Sequence, residues 1–306
     1  MKDSIISGQS IVVTGADGFI GRALVSKLRD GGAEVVALDS HPSMDGTLEA
    51  DICDAAIADL IPIGSVVIHL AALSTDGACR EDPMSAVQIN VIGTLNIARA
   101  SREKSASQFV FASSEWIYGD KGGEALQNEE TPIDVSKLES VYAITKAVVE
   151  PLLRSAIAPE NVTVLRFGIV YGPRPNSWSA VERLLMDVNE KQTVQVGSLK
   201  TGRRFIYVDD LVAGIIASIG QTGHETFNLS GDVMVTMGDI ISSSSVLLNR
   251  SPDVIEGNPD NWVQRNPSNE RAARRLNWTP RRDIAEGLAE VAEFLGVLPP
   301  SPRETP

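Results

Sequence analysis

Cysteine and histidine are scarce in this chain of 306 residues, which carries two of the first and three of the second. Cys53 and Cys79 are too few for a disulfide framework, so a reducing cytoplasm is the expected compartment. Both also fit as small buried apolar residues. His41, His69 and His224 show no metal-ligand spacing, and no metal is expected. Long apolar runs are missing too: none reaches the about 18 residues of a membrane span. The first eight residues have neither the apolar stretch nor the cleavage site of a secretory leader. Positive charge is in deficit, with 27 Lys and Arg against 40 Asp and Glu and a formal net charge of -13. That balance argues against a nucleic-acid or anionic-membrane partner. Phosphate ligands stay open, since helix N-termini and a few placed arginines bind them whatever the global charge. Arg271, Arg274, Arg275, Arg281 and Arg282 cluster late in the chain, and most of them read best as solvated helix faces and ends. No repeat or low-complexity segment interrupts the sequence.

What is present alternates. Apolar strands are expected over 11–13, 34–38, 66–70, 109–112 and 162–167, and helices over 19–29, 83–102 and 140–155. Short apolar strands alternating with helices predict a parallel sheet with right-handed crossovers, covered on both faces. The fold class is therefore α/β, a Rossmann-type doubly wound sheet over 1–172. The pattern loosens after Tyr171-Gly-Pro-Arg-Pro175. Residues 173–306 are expected to form a smaller, mixed C-terminal substrate-binding subdomain. Its elements are a helix over 180–190, strands over 193–196 and 205–208, and mostly helix over 267–295. The chain is expected to return to the first unit around 205–220, and 299–306 to form a frayed tail.

The most informative residues are Tyr142 and Lys146 in Val141-Tyr-Ala-Ile-Thr-Lys146. They follow a glycine-rich turn, Thr14-Gly-Ala-Asp-Gly-Phe-Ile-Gly21, and a serine pair, Ser113-Ser114, at the end of an apolar strand. In that order the parts describe hydride transfer between a nicotinamide and an oxygen-bearing carbon. Removing hydride from a secondary alcohol requires its hydroxyl proton to leave as well, and a phenol near pKa about 10 is too weak a base. A lysine four residues on shares its helix face and favours the phenolate, as does the positive nicotinamide ring. Tyr142 then suits general acid–base work, and Ser114 steadies the substrate oxygen. The competing reading of Tyr142 is a ring buried in the core of an amphipathic helix.

Gly15, Gly18 and Gly21 supply a tight turn, backbone approach to a diphosphate, and close packing of helix on strand. Asp39 closes the second strand, where a carboxylate accepts from ribose hydroxyls and repels a 2′-phosphate. NAD is thus expected over NADP. The competing reading of Asp39 is a turn residue before His41-Pro42.

Here the chain resembles, over nearly its whole length, an extended short-chain dehydrogenase/reductase of the NAD-dependent epimerase/dehydratase family. Thr14–Gly21, with Asp17, Phe19 and Ile20, and Asp39 match its cofactor motifs. Asp51-Ile52 resembles its adenine-contacting pair, and His69-Leu-Ala-Ala72, with Leu70, Ala71 and Ala72, the turn that passes the cofactor. Asn90 falls on the asparagine that supports the active site, and Ser114 on the catalytic serine. Arg203 to Val212 and Ala273 to Pro280 resemble two C-terminal signatures. The resemblance implies NAD bound and recycled, a nucleotide-sugar substrate touching Ser74, Ser114, Glu115, Trp116 and Arg203, and a homodimer built on helices 83–102 and 140–155.

Departures from the family pattern bear on the reaction. Its dehydratases carry an Asp-Glu pair after the catalytic residue, and its decarboxylases a Glu two places on. Here Glu115 and Trp116 stand there, leaving elimination half equipped. Ile169 replaces an asparagine that touches the substrate diphosphate, and the segment 254–256 lacks the usual clamping arginine. The expected activity is a nucleotide-sugar 4-epimerase working through a keto intermediate. A net dehydrogenase/reductase of a sugar, uronate or other hydroxy compound is the alternative, with a dehydratase or a non-catalytic dinucleotide sensor behind it.

Overall fold

The structure, a computed structural model, describes residues 6–119, 125–155, 157–176 and 179–298; the tail expected at 299–306 lies outside them. Seven parallel strands form the central sheet: β1 (Ser10–Thr14), β2 (Glu34–Asp39), β3 (Thr47–Glu49), β4 (Val66–His69), β5 (Gln108–Ser114), β6 (Val162–Phe167) and β11 (His224–Leu229). Their order is β11-β6-β5-β4-β1-β2-β3. The chain thus starts in the middle and winds outward both ways, with crossovers covering both faces. β1, β4, β5 and β6 are almost entirely buried, which is why they read as continuous apolar runs rather than alternating ones.

The helices on the two faces bury separate apolar stripes. α1 (Phe19–Asp30) packs Leu24, Val25 and Leu28 on one face, together with Leu211, Val212 and Ile215. On the other face lie α2 (Asp76–Glu81), α3 (Pro83–Val87), α4 (Thr94–Glu103) and α5 (Val141–Leu152). There Ile97, Ala98, Ala100 and Val149 meet Val12, Val67 and Phe109. The helix expected over 83–102 is interrupted. α3 gives way to a π-helical turn, Gln88–Gly93, before α4 resumes, an insertion frequent at functional sites.

Beyond β6 come β7 (Val170–Tyr171), α6 (Ala180–Glu190), β8 (Thr193–Val196), β9 (Gly202–Arg203), β10 (Ile206–Tyr207) and α7 (Val208–Ala217). After β11 follow β12 (Val235–Thr236), α8 (Met237–Leu248), β13 (Asp253–Glu256), β14 (Gln264–Arg265), α9 (Glu270–Leu276) and α10 (Ile284–Phe294). α6, α8 and α10 share a third apolar cluster with Tyr171 and Tyr207. α7 and Trp278 pack back onto the main sheet. Of the late arginines, Arg271, Arg274 and Arg275 sit on α9 and pair with Glu130, Glu270 and Glu225, whereas Arg281 and Arg282 lie in the loop before α10, Arg282 pairing with Glu290.

Candidate active site

A cleft of about 1260 Å³ runs along the C-terminal edge of the sheet, from Asp39 and Asp51 at one end to Tyr142 and Ile169 at the other. Its floor is the turn after β1. Gly15 has φ +69°, and a Cβ there would lie 2.7 Å from the Ala71 backbone nitrogen. On Gly21 a Cβ would lie 2.1 Å from the Gly15 carbonyl oxygen. The first glycine lets the loop after β4 come close, and the last lets α1 sit on the turn. No side chain caps the N-terminus of α1, and its first turn holds no acid. Its backbone N–H groups are therefore available to a diphosphate.

Asp39 is half-buried at the end of β2 and lines the cleft. Its two oxygens accept from the Asp17 and His41 amides, each at 3.0 Å. A carboxylate has about four acceptor positions, so Asp39 keeps capacity for ribose hydroxyls. Asp17 behaves differently from its expected place at the cofactor. Its carboxylate turns into the 43–47 loop, where it accepts from the Ser43 and Met44 amides and the Thr47 hydroxyl. Phe19, Ile20, Asp51, Ile52, Leu70, Ala71, Ala72 and Ser74 all line the cleft.

Asn90 does not line it. Buried in the π-helical turn, its Oδ1 accepts from the Leu73 amide at 2.8 Å. Its Nδ2 donates to the Leu73 carbonyl at 3.0 Å and the Thr145 hydroxyl at 3.1 Å. One amide thus ties the 70–74 loop to the catalytic helix.

Side chains alternate along β5. Both serines line the cleft, but the Ser113 hydroxyl donates to Glu150 at 2.6 Å, while Ser114 stands beside Tyr142. Ser140 caps α5 by accepting from the Ala143 amide, and its hydroxyl donates to Asp76 at 2.6 Å. That pins the first turn of the helix, where Tyr142 stands. Lys146 is buried one turn on: Nζ donates to the Ala112 carbonyl at 2.8 Å and lies 5.8 Å from the Tyr142 ring centre.

The electrostatics differ from the simple expectation that Lys146 draws the phenol toward neutral pH. Burial pushes Tyr142 up to about 12, with hydrogen bonding to Ser114 pulling the other way. Burial brings Lys146 down to about 8. Desolvation therefore dominates within the chain itself, and the positive ring of a bound nicotinamide cofactor would add a charge that favours phenolate.

Two expected substrate residues stand behind the cleft wall rather than in it. Glu115 is fully buried, with Oε1 3.7 Å from Arg203 Nε and 3.9 Å from Arg265 Nη1. Arg203 also donates to the Gly202 and Val263 carbonyls at 2.7 Å. Arg265 lies 4.5 Å over the Trp116 ring, and Trp116 meets Tyr142 edge-on at 6.5 Å. Sequence reasoning missed Arg265, because nothing local marks an arginine that works on a turn about 150 residues earlier. It also passed over Asp76 and Arg174, which line the cleft.

The glycine turn, the acid closing β2 and the Ser-Tyr-Lys set together define a nicotinamide-dependent short-chain dehydrogenase/reductase. The chain belongs to the NAD dependent epimerase/dehydratase family, whose model matches residues 11–230, and NAD is the cofactor that this cleft fits. It is 29% identical over 317 residues to the UDP-glucose 4-epimerase of Mycolicibacterium smegmatis, a match covering 92% of this chain and 97% of that one. To UDP-glucuronic acid decarboxylase 1 of Arabidopsis thaliana it is 28% identical, covering 93% of this chain and 69% of the other. Among solved structures, MoeE5 in complex with UDP-glucuronic acid and NAD matches with a TM-score of 0.83 at 27% identity. That match covers 94% of this chain and 99% of MoeE5.

Proposed function

We propose that this chain is a nucleotide-sugar 4-epimerase that keeps NAD through the cycle. Bound NAD would supply the hydride acceptor and donor for a sugar carbon. Gly15, Gly18 and the amides of α1 would hold its diphosphate, Asp39 its adenosine ribose, and Asp51 and Ile52 its adenine. Tyr142 would take the proton of the reacting hydroxyl and give it back, while Ser114 donates to the same oxygen. Lys146 would hold positive charge close to the phenol throughout. The observation that carries the reading is the withdrawal of Glu115 toward Arg203 and Arg265, beside an intact Ser114–Tyr142 pair. Elimination needs an acid and a base across the leaving group, and a carboxylate engaged with two guanidiniums behind the wall serves as neither. Oxidation and reduction at one carbon need only Ser114 and Tyr142, which face the cleft, with Lys146 buried behind them.

A net dehydrogenase of a sugar, uronate or polyol has one observation in its favour. Ile169 lines the cleft and Arg203 does not, which weakens the case for a substrate diphosphate. Incubating the purified protein with UDP-glucose and following the C4 configuration by NMR, without added NAD, tests the proposal. UDP-galactose should form with no net change at 340 nm. Growth of that absorbance on adding NAD and a free sugar, with no epimer formed, would transfer the assignment to the dehydrogenase.

A further inference from the structure

Arg174 enters the cleft from the segment between β7 and α6, and two neighbours fix its guanidinium. Its Nε lies 2.9 Å from Oε1 of Glu182, which is fully buried in the first turn of α6. That carboxylate is itself held, accepting from the Gly172 amide at 3.1 Å and from the Ser179 amide at 2.9 Å and hydroxyl. Nη2 of Arg174 donates to the Val170 carbonyl at 3.3 Å. The planar group then stacks 4.4 Å from the centre of the Phe19 ring. Phe19 opens α1, directly after Gly18. A permanent cation is thus clamped on one edge and laid beside the helix N-terminus that the glycine turn presents to the cleft. Among the described residues that line the cleft, Arg174 is the one arginine, and no lysine joins it.

A diphosphate carries two negative charges, whereas a helix N-terminus supplies only about half a positive one. Arginine matches phosphate oxygens with paired, charge-assisted hydrogen bonds, and the Glu182 clamp removes much of the entropy that a long side chain loses on binding. Arg203, which the resemblance implies as a substrate contact, lies behind the wall with Glu115. We infer that Arg174 is the diphosphate-binding arginine of this cleft. The diphosphate is that of NAD or that of a nucleotide-linked substrate, and the second source rests on the epimerase reading above.

Calorimetric titration of the full chain with NAD, and separately with UDP, at two ionic strengths tests the inference. The variants are Arg174→Lys and the double change Arg174→Gln with Glu182→Gln, which removes both buried charges together and preserves folding if either variant does. Loss of one charge-assisted contact should raise the dissociation constant roughly tenfold or more and flatten its salt dependence. Weakening of NAD alone assigns the cofactor diphosphate, and weakening of UDP alone assigns the substrate's. Affinities for both ligands within about twofold of the wild type, or a loss with unchanged salt dependence, would overturn the assignment. Failure of the wild type to bind UDP would remove the nucleotide-sugar reading and leave the NAD titration to decide Arg174.

Discussion

Ser114, Tyr142 and Lys146 were legible in the sequence because the chemistry itself sets their types and spacing. A base and its electrostatic partner need one helix face, and a strand end supplies the hydroxyl opposite. Glu115 and Arg203 were not legible in the same way, since whether they face the cleft depends on Arg265, which arrives from the far end of the chain. Tyr142→Phe should lower turnover by about 10²–10⁴-fold, the range of general acid–base catalysis, with NAD affinity and melting temperature close to wild type. Near-normal turnover in that variant would remove the tyrosine from the mechanism. Burial of the lysine and tyrosine also imposes a pH signature on stability. Between pH 8 and 10.5 the unfolded Lys146 holds its proton while the folded one, at about 8, has lost it. Stability therefore rises with pH across that window. Above pH 10 the unfolded tyrosine ionises while folded Tyr142, at about 12, does not, and its contribution falls. Urea melts of wild type and Lys146→Met should diverge from pH 8 upward, the variant lacking the rise. Parallel curves would place the lysine's proton in the folded state throughout.

At the scale of elements, most strands and helices follow from apolar runs and caps, and the misreadings are informative. The segment 83–102 has one helical stripe, yet the π-helical turn at Gln88–Gly93 is invisible to periodicity. It answers to the 70–74 loop, which Asn90 must reach. β3 escaped notice because three residues with two exposed positions carry no pattern. His69, at the end of β4, joins β1 to α4. Thr94 spends its hydroxyl hydrogen on the Asn90 carbonyl at 2.8 Å. His69 Nε2 must then donate to Thr94, at 2.9 Å, and Nδ1 accept from Thr14, at 2.7 Å. Burial, with the nearby Lys146 charge, brings this imidazole down to about 3. An unfolded histidine takes a proton below about 6.5, so stability should be lost as pH falls from there toward 3. Imidazole nitrogen shifts in NMR should report a neutral, Nε2-protonated His69 at pH 5. A titration midpoint near 6 would show that water reaches the ring.

At the scale of the whole molecule, the doubly wound half was readable from alternation, and in the later half the helix over 180–190 and the strand over 193–196 were readable while β11 was not. β11 belongs to the main sheet but follows a long excursion, and its partner β6 lies some sixty residues earlier. Such non-local pairing leaves no local signal beyond a six-residue run. The homodimer expected from the family resemblance is a prediction at this scale, and α3 to α5 are where it would form. The π-helical turn and α5 pack against each other, and Met84, Val87, Ile92 and Leu152 on these elements stay exposed, Met84 by 78%. Large apolar side chains left exposed favour association, because covering them releases ordered water at about 25 cal/mol per Å². Two copies joined through this surface should bury the about 1,200–2,000 Å² of a stable interface. Sedimentation equilibrium at micromolar concentration should then return twice the mass of one chain. Met84→Lys combined with Ile92→Asp should return the single mass, with far-ultraviolet dichroism unchanged, since neither side chain contributes to the buried core. A wild-type chain that sediments as a monomer at the same concentration would leave that surface without a second copy to cover it.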